Sequence, residues 1–181
     1  MRIPVVLLLG ILLAPPATAA EGVVPKAELF GGYSYTKDGD QSLHGGEASL
    51  ALRLTRWIAV EADVSAHYGS ELGISTSRLF FLGGPRFAYR ARSVSVFTHY
   101  LAGGARSRAG ITILGVDITE SRTDFAMAFG GGLDVRMSDR WAIRAQADYA
   151  LIRADGSTQR EPRFSAGAVF VAKRTNAPDE N

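Results

Sequence analysis

From Arg56 to Gly69 the chain reads RWIAVEADVSAHYG, and from Arg140 to Leu151 it reads RWAIRAQADYAL. In the first stretch Ile58, Val60, Ala62, Val64, Ala66 and Tyr68 form one alternate set, and Glu61, Asp63, Ser65 and His67 the other. Successive side chains of an extended strand point to opposite faces, so this is a strand with one apolar and one charged face. That pattern limits the fold more tightly than anything else in the chain, because the two faces need opposite surroundings.

Eight segments carry the alternation, at about 26–35, 46–54, 57–68, 78–89, 94–106, 124–137, 141–153 and 163–173, and no segment reads as a helix. Apolar teeth are clear in the second (Ala48, Leu50, Leu52, Leu54), the fourth (Leu79, Phe81, Phe87, Tyr89), the sixth (Phe125, Met127, Phe129, Leu133, Val135) and the eighth (Phe164, Ala166, Ala168, Phe170). The fifth, VSVFTHYLAGGAR, is apolar in both phases, which leaves its register open. Connections alternate in length. Those at 55–56, 90–93 and 138–140 are short, whereas those at 36–45, 69–77, 107–123 and 154–162 are long and polar. Short turns on one rim and long loops on the other describe an eight-stranded antiparallel up-and-down β-barrel with both termini on the short-turn side.

The first twenty residues, MRIPVVLLLGILLAPPATAA, give a lone Arg2, an apolar run from Val5 to Ala14 and a small-residue stretch from Ala17 to Ala20. This predicts a cleaved signal peptide over 1–20, followed by a barrel domain over 21–181 with a short C-terminal tail. The run is shorter than the roughly 18 apolar residues a spanning helix needs, and it ends at Pro15-Pro16. The chain has no cysteine, so neither a disulfide framework nor lipoprotein attachment is available. Without Arg2, 19 basic residues face 18 acidic ones, a net charge of +1, which gives no footprint for nucleic acid. Arginine outnumbers lysine 17 to 3, a choice that suits charges packed in bidentate pairs and that a genome biased towards arginine codons would produce equally well.

Alternation alone does not say which face is inside. A soluble lipocalin-like barrel binding an apolar ligand turns its oily face inward, and a membrane barrel turns it outward. Leu79 and Tyr89 are ten residues apart, and ten residues at about 3.3 Å, tilted by about 40°, rise roughly 25 Å, the height of an outer-membrane apolar band. Trp57 and Trp141 stand beside short turns and Tyr35, Tyr68 and Tyr149 towards the long loops, as interfacial girdles would. The other face carries Arg53, Glu61, Asp63, Arg86, Asp134, Arg136, Arg144 and Asp148, joined by Glu28, Glu47, Arg78, Asp124 and Arg163. A set this nearly balanced in charge is expected to form a paired network in a lumen. The apolar face is therefore expected to meet lipid and the charged face the lumen.

The segments AELFGGYSY, FFLGGPRFAYR, VFTHYLAGGAR, FAMAFGGGLDVRMSDRWAIRAQADY and RFSAGAVFV together resemble the small outer-membrane β-barrel family, the OmpA-like and opacity-type barrels of Gram-negative bacteria. The resemblance implies residence in the outer membrane, contact with its lipid, assembly by the barrel-assembly machinery and a possible surface ligand held by the long loops. It implies architecture and not activity. Larger OmpA proteins add a periplasmic peptidoglycan-binding domain for which this chain leaves no room. Family members often finish on an aromatic residue; here Ser165, Gly167 and Phe170 fit that signal, but residues to Asn181 follow.

Candidate chemistry is sparse. His44, His67 and His99 lack metal-ligand spacing. The HYGS stretch from His67 to Ser70 invites comparison with lipid A-modifying barrels, yet it shows no orienting carboxylate or oxyanion hole. Glycine pairs at 31–32, 83–84 and 103–104 and the triplet at 130–132 lie inside strands, where they let a sheet bend or make room for large interior side chains. No catalytic site, metal or cofactor is expected. The expected function is that of an integral outer-membrane protein with a structural or surface-interaction role and a very narrow or filled lumen, the alternatives being a small diffusion porin, a lipocalin-like binder or a lipid A-modifying enzyme.

Overall fold

A computed structural model describes residues 27–39, 41–71, 74–91, 93–113, 116–154 and 157–172. The chain forms eight strands: β1 (Ala27–Asp38), β2 (Gln41–Arg53), β3 (Ile58–Glu71), β4 (Ile74–Arg90), β5 (Val94–Ile113), β6 (Val116–Arg136), β7 (Trp141–Ala154) and β8 (Ser157–Ala172). Each pairs antiparallel with the next, and β8 returns to β1 from Ala27 opposite Ala172 to Thr36 opposite Arg163, closing the barrel. The predicted signal peptide and C-terminal tail lie outside the described residues.

The Arg-Trp echo marks two turns of one design. Thr55 Oγ1 accepts hydrogen bonds from the amides of Trp57 (3.2 Å) and Ile58 (3.0 Å), and Ser138 Oγ accepts from those of Arg140 (3.4 Å) and Trp141 (3.2 Å). A hydroxyl that satisfies amides two and three residues on fixes a tight reversal. Trp57 belongs to this turn and not to β3, which explains why it falls out of phase with the apolar teeth that follow.

The expectation of long loops at 36–45, 69–77, 107–123 and 154–162 is corrected. Strand pairing runs on to Asp38 opposite Gln41, Glu71 opposite Ile74, Ile113 opposite Val116 and Ala154 opposite Ser157. Each long connection is a hairpin that extends the barrel wall. Above the apolar band both faces of such a hairpin are wetted, so the alternation that announces a strand disappears while the backbone ladder continues. Gly39, with φ of 60°, supplies the left-handed residue of the first hairpin.

The faces divide as a membrane barrel requires. Leu50, Val64, Phe81, Met127, Phe129 and Leu133 are exposed on the outside, whereas Glu47, Glu61, Asp63, Arg86, Arg144 and Arg163 are buried inside. The register of β5 is now fixed: Phe97, His99 and Leu101 point inward, and Val96 and Tyr100 outward.

Candidate functional site

The interior gathers charged and hydrogen-bonding side chains from all round the barrel, and it does so in layers. Nearest the short turns, Glu28 on β1 accepts from Arg53 Nη2 (2.7 Å) and Arg90 Nη2 (3.0 Å). Above it, Arg144 grips Asp134 in two-point fashion, Nε to Oδ1 at 2.7 Å and Nη2 to Oδ2 at 3.0 Å, while Arg86 Nη2 reaches Oδ2 at 3.2 Å. The two guanidiniums lie over the Phe97 ring at 3.7 and 4.5 Å. Planar, delocalised guanidinium suits this stacking and bidentate pairing where an ammonium would not.

At mid-height a ring of contacts crosses the barrel. Glu61 Oε2 on β3 meets His99 Nδ1 on β5 at 2.9 Å, and His99 Nε2 meets Asp148 Oδ1 on β7 at 2.9 Å. Asp148 Oδ2 accepts from Arg163 on β8 (2.7 and 3.1 Å), whose Nη1 returns to β3 at Asp63 (2.9 Å) and Ser65 (2.9 Å). Glu47 is held beside this ring by Gln146, Ser165 and Ser34. Towards the hairpins, Arg78 pairs with Glu161. Phe80, Leu82, Leu101 and Ile152 fill the rest of that end with an apolar cluster.

Gly130 explains the glycine triplet locally. It stands in the sheet between His99 and Asp148, opposite both. A Cβ there would collide with Asp148 Oδ1 and the Ala147 carbonyl oxygen, so the missing side chain is what lets His99 reach Asp148 across the strand between them.

Of the lumen residues expected from sequence, Glu61, Asp63, Arg86, Asp134, Arg144 and Asp148 are buried and brought together, and Arg53 is half-buried at the rim. Arg136 is corrected. It has the inward phase but lies exposed at the short-turn mouth, lining a cavity of about 160 Å³ with Glu28, Arg53, Arg90 and Asp134. Asp124 is half-buried near the hairpins and bound to Arg122 at 2.6 Å. Of the aromatic residues, Trp57 stacks on Tyr89 (5.5 Å) and Trp141 packs on Phe170 (5.1 Å) at the turn rim; Tyr68 and Tyr149 are exposed towards the hairpins, and Tyr35 is half-buried beside His44.

The sequence pattern does not single out Arg90, Glu161 or Gln146, and it leaves open which way His99 points. The first two keep the phase of Arg86 and Arg163 and were lost only because their segments were read as connections. His67 and Ser70 do not meet: three residues apart on a strand they face opposite sides, and His67 Nε2 bonds to Ser34 Oγ at 2.9 Å. His44 lies on the outer surface against Tyr33. Among the described residues no group of three or more His, Cys, Asp or Glu is placed to hold a metal ion.

Comparison with known proteins locates this architecture. The family model described as outer membrane protein beta-barrel domain matches residues 5–170. The Yersinia pestis attachment invasion locus protein Ail superposes with a TM-score of 0.60 at 19% identity, over 83% of this chain and 100% of that one. Neisserial surface protein A gives 0.59 at 12% identity, over 81% and 96%. A major outer membrane protein from Thermus thermophilus gives 0.55 at 11% identity, over 80% and 99%. No curated protein matches the chain.

Proposed function

The chain belongs to the outer-membrane β-barrel domain family and resides in the outer membrane, and from that premise we propose that it is an occluded barrel, a platform that carries four β-hairpins on the outside of the cell. The observation that supports this most is the mid-height ring. It runs from Glu61 through His99, Asp148 and Arg163 to Asp63, crossing from β3 to β5, β7 and β8 and back to β3. An eight-stranded barrel is just wide enough to be filled by its own side chains, and these side chains, with Arg86 and Arg144 below and the apolar cluster above, occupy the section through which a solute would pass. No observation favours an enzyme or a lipocalin-like binder.

In this reading residues 1–20 direct export and are removed, and the barrel-assembly machinery inserts the domain through a signal that ends at Phe170. The short turns then face the periplasm, and the hairpins, of which β5–β6 is the tallest, face outward. Single cysteines at Gly110 and Asp139 test the orientation. A membrane-impermeant maleimide applied to intact cells should label the first and spare the second; equal labelling, or labelling of the second alone, contradicts the platform.

A further inference from the structure

We propose that a cleft on the outer face of β3–β5, formed by Tyr68, Ser77, Arg106 and Arg108, binds the phosphate of an outer-leaflet glycolipid. Arg106 and Arg108 share the outward phase of Val96, Thr98, Tyr100 and Ala102 on β5, and both are exposed. Arg106 is ten residues beyond Val96, so it stands about 25 Å above the turn-side end of the band. That height is where hydrocarbon gives way to headgroups.

Three further cations reach the same level on the outward face. Lys37 is ten residues along β1 from Ala27, Arg160 is ten residues along β8 from Phe170, and Arg153 follows Leu151, which is ten residues from Trp141. Among the described residues none of these five cations forms an ion pair, and no carboxylate shares their face at that height. The contrast with the lumen is informative, because there nearly every arginine is matched by a carboxylate. A solvated surface would mix both signs; an uncompensated arc at the headgroup level matches a layer of lipid phosphates.

The arc becomes a site at β3–β5. Tyr68, Ser77, Arg106 and Arg108 line a cavity of about 150 Å³, with Leu79 at its foot. It adjoins a groove of about 540 Å³ lined by Tyr68, Ser70, Ser75, Thr76, Ser77 and Arg108. Two guanidiniums supply paired donors for a phosphate. The neighbouring hydroxyls offer donors and acceptors to a sugar, and the apolar surface below receives acyl chains. A soluble polyanion would use the arginines but neither the foot of the cleft nor its position beside the lipid.

The proposal rests on the outward orientation of the hairpins, and a measurement in detergent micelles, which have no sides, separates the two. A fluorescent phosphorylated diglucosamine glycolipid is titrated with the folded barrel, in parallel with the same glycolipid stripped of phosphate. The phosphorylated form should bind about tenfold tighter. The R106Q/R108Q double variant, with its fold verified by gel mobility before and after boiling, should lose that preference, and Arg136→Gln at the opposite rim should keep it. Should the double variant not fold, Arg108→Gln alone carries the same comparison. The assignment is overturned if the unmodified barrel shows no preference, if the arginine variants retain it, or if Arg136→Gln abolishes it equally. Displacement of the glycolipid by a soluble sulfated polysaccharide at equal charge concentration would assign the arginines to a soluble partner and overturn it too.

Discussion

Replacing Arg163 by methionine should lower the unfolding free energy of the barrel by about 3–5 kcal/mol, the largest loss expected from any single lumen substitution. Arg163 is 1% exposed and donates to Asp148 twice, to Asp63 and to Ser65, with Glu47 at 3.7 Å. Three carboxylates on β2, β3 and β7 therefore share one cation. Methionine keeps the apolar stem of the side chain but not the guanidinium, and so leaves those charges buried and facing one another. The penalty comes from that uncompensated charge and not from any large net gain the pairs give the native state, since taking ions out of water offsets most of their attraction. Urea unfolding in detergent measures the loss. Arg160→Met, an exposed arginine three residues away, should stay within about 0.5 kcal/mol of the parent. Equal behaviour of the two variants would mean that the lumen charges are not coupled as the distances indicate.

On the outer face the expected effect depends on depth. Val64 is half exposed and sits in the middle of β3, opposite Ala48 on β2 and Phe81 on β4. Val64→Arg places a charge near the middle of the hydrocarbon and should cost about 2–4 kcal/mol. Leu52, although equally apolar, lies one residue from the end of β2, opposite Val60 and Ala27, so Leu52→Arg should cost only about 0–1 kcal/mol. Val64→Ala separates lost side-chain volume from added charge. In an aqueous surroundings neither position would distinguish depth. Equal tolerance of the two arginines in lipid vesicles would therefore reject the outward assignment of this face.

The fold was legible to the extent that one face of each strand touches lipid. Between the girdles, alternation located all eight strands and, in all but the fifth, the face that meets lipid, and both Arg-Trp turns were marked by residue chemistry. Legibility ended where the surroundings become the same on both faces. Above the band both sides of a hairpin are wet, so residues such as Arg160 and Glu161 read as loop although they are paired in β8. In β5 both sides are apolar, because Phe97 and Leu101 pack inside while Val96 and Tyr100 face lipid, and the phase of His99 was hidden with them. The paired lumen was legible as a list of charges but not as a set of partners. Arg136 shares the phase of Asp134, and only its place at the mouth separates it from the network. The bridge from Glu61 through His99 to Asp148 joins three strands that are not consecutive, and it passes over Gly130, a residue whose contribution is its lack of a side chain.

The occlusion of the lumen is most directly tested by single-channel recording of the unmodified barrel in planar bilayers. With Glu61, His99, Asp148, Arg163 and Asp63 linked across its mid-section, the protein should insert and pass no steady current above the bilayer background. Large, steady, ion-selective steps from every inserted barrel would contradict the filled lumen and make the chain a diffusion porin.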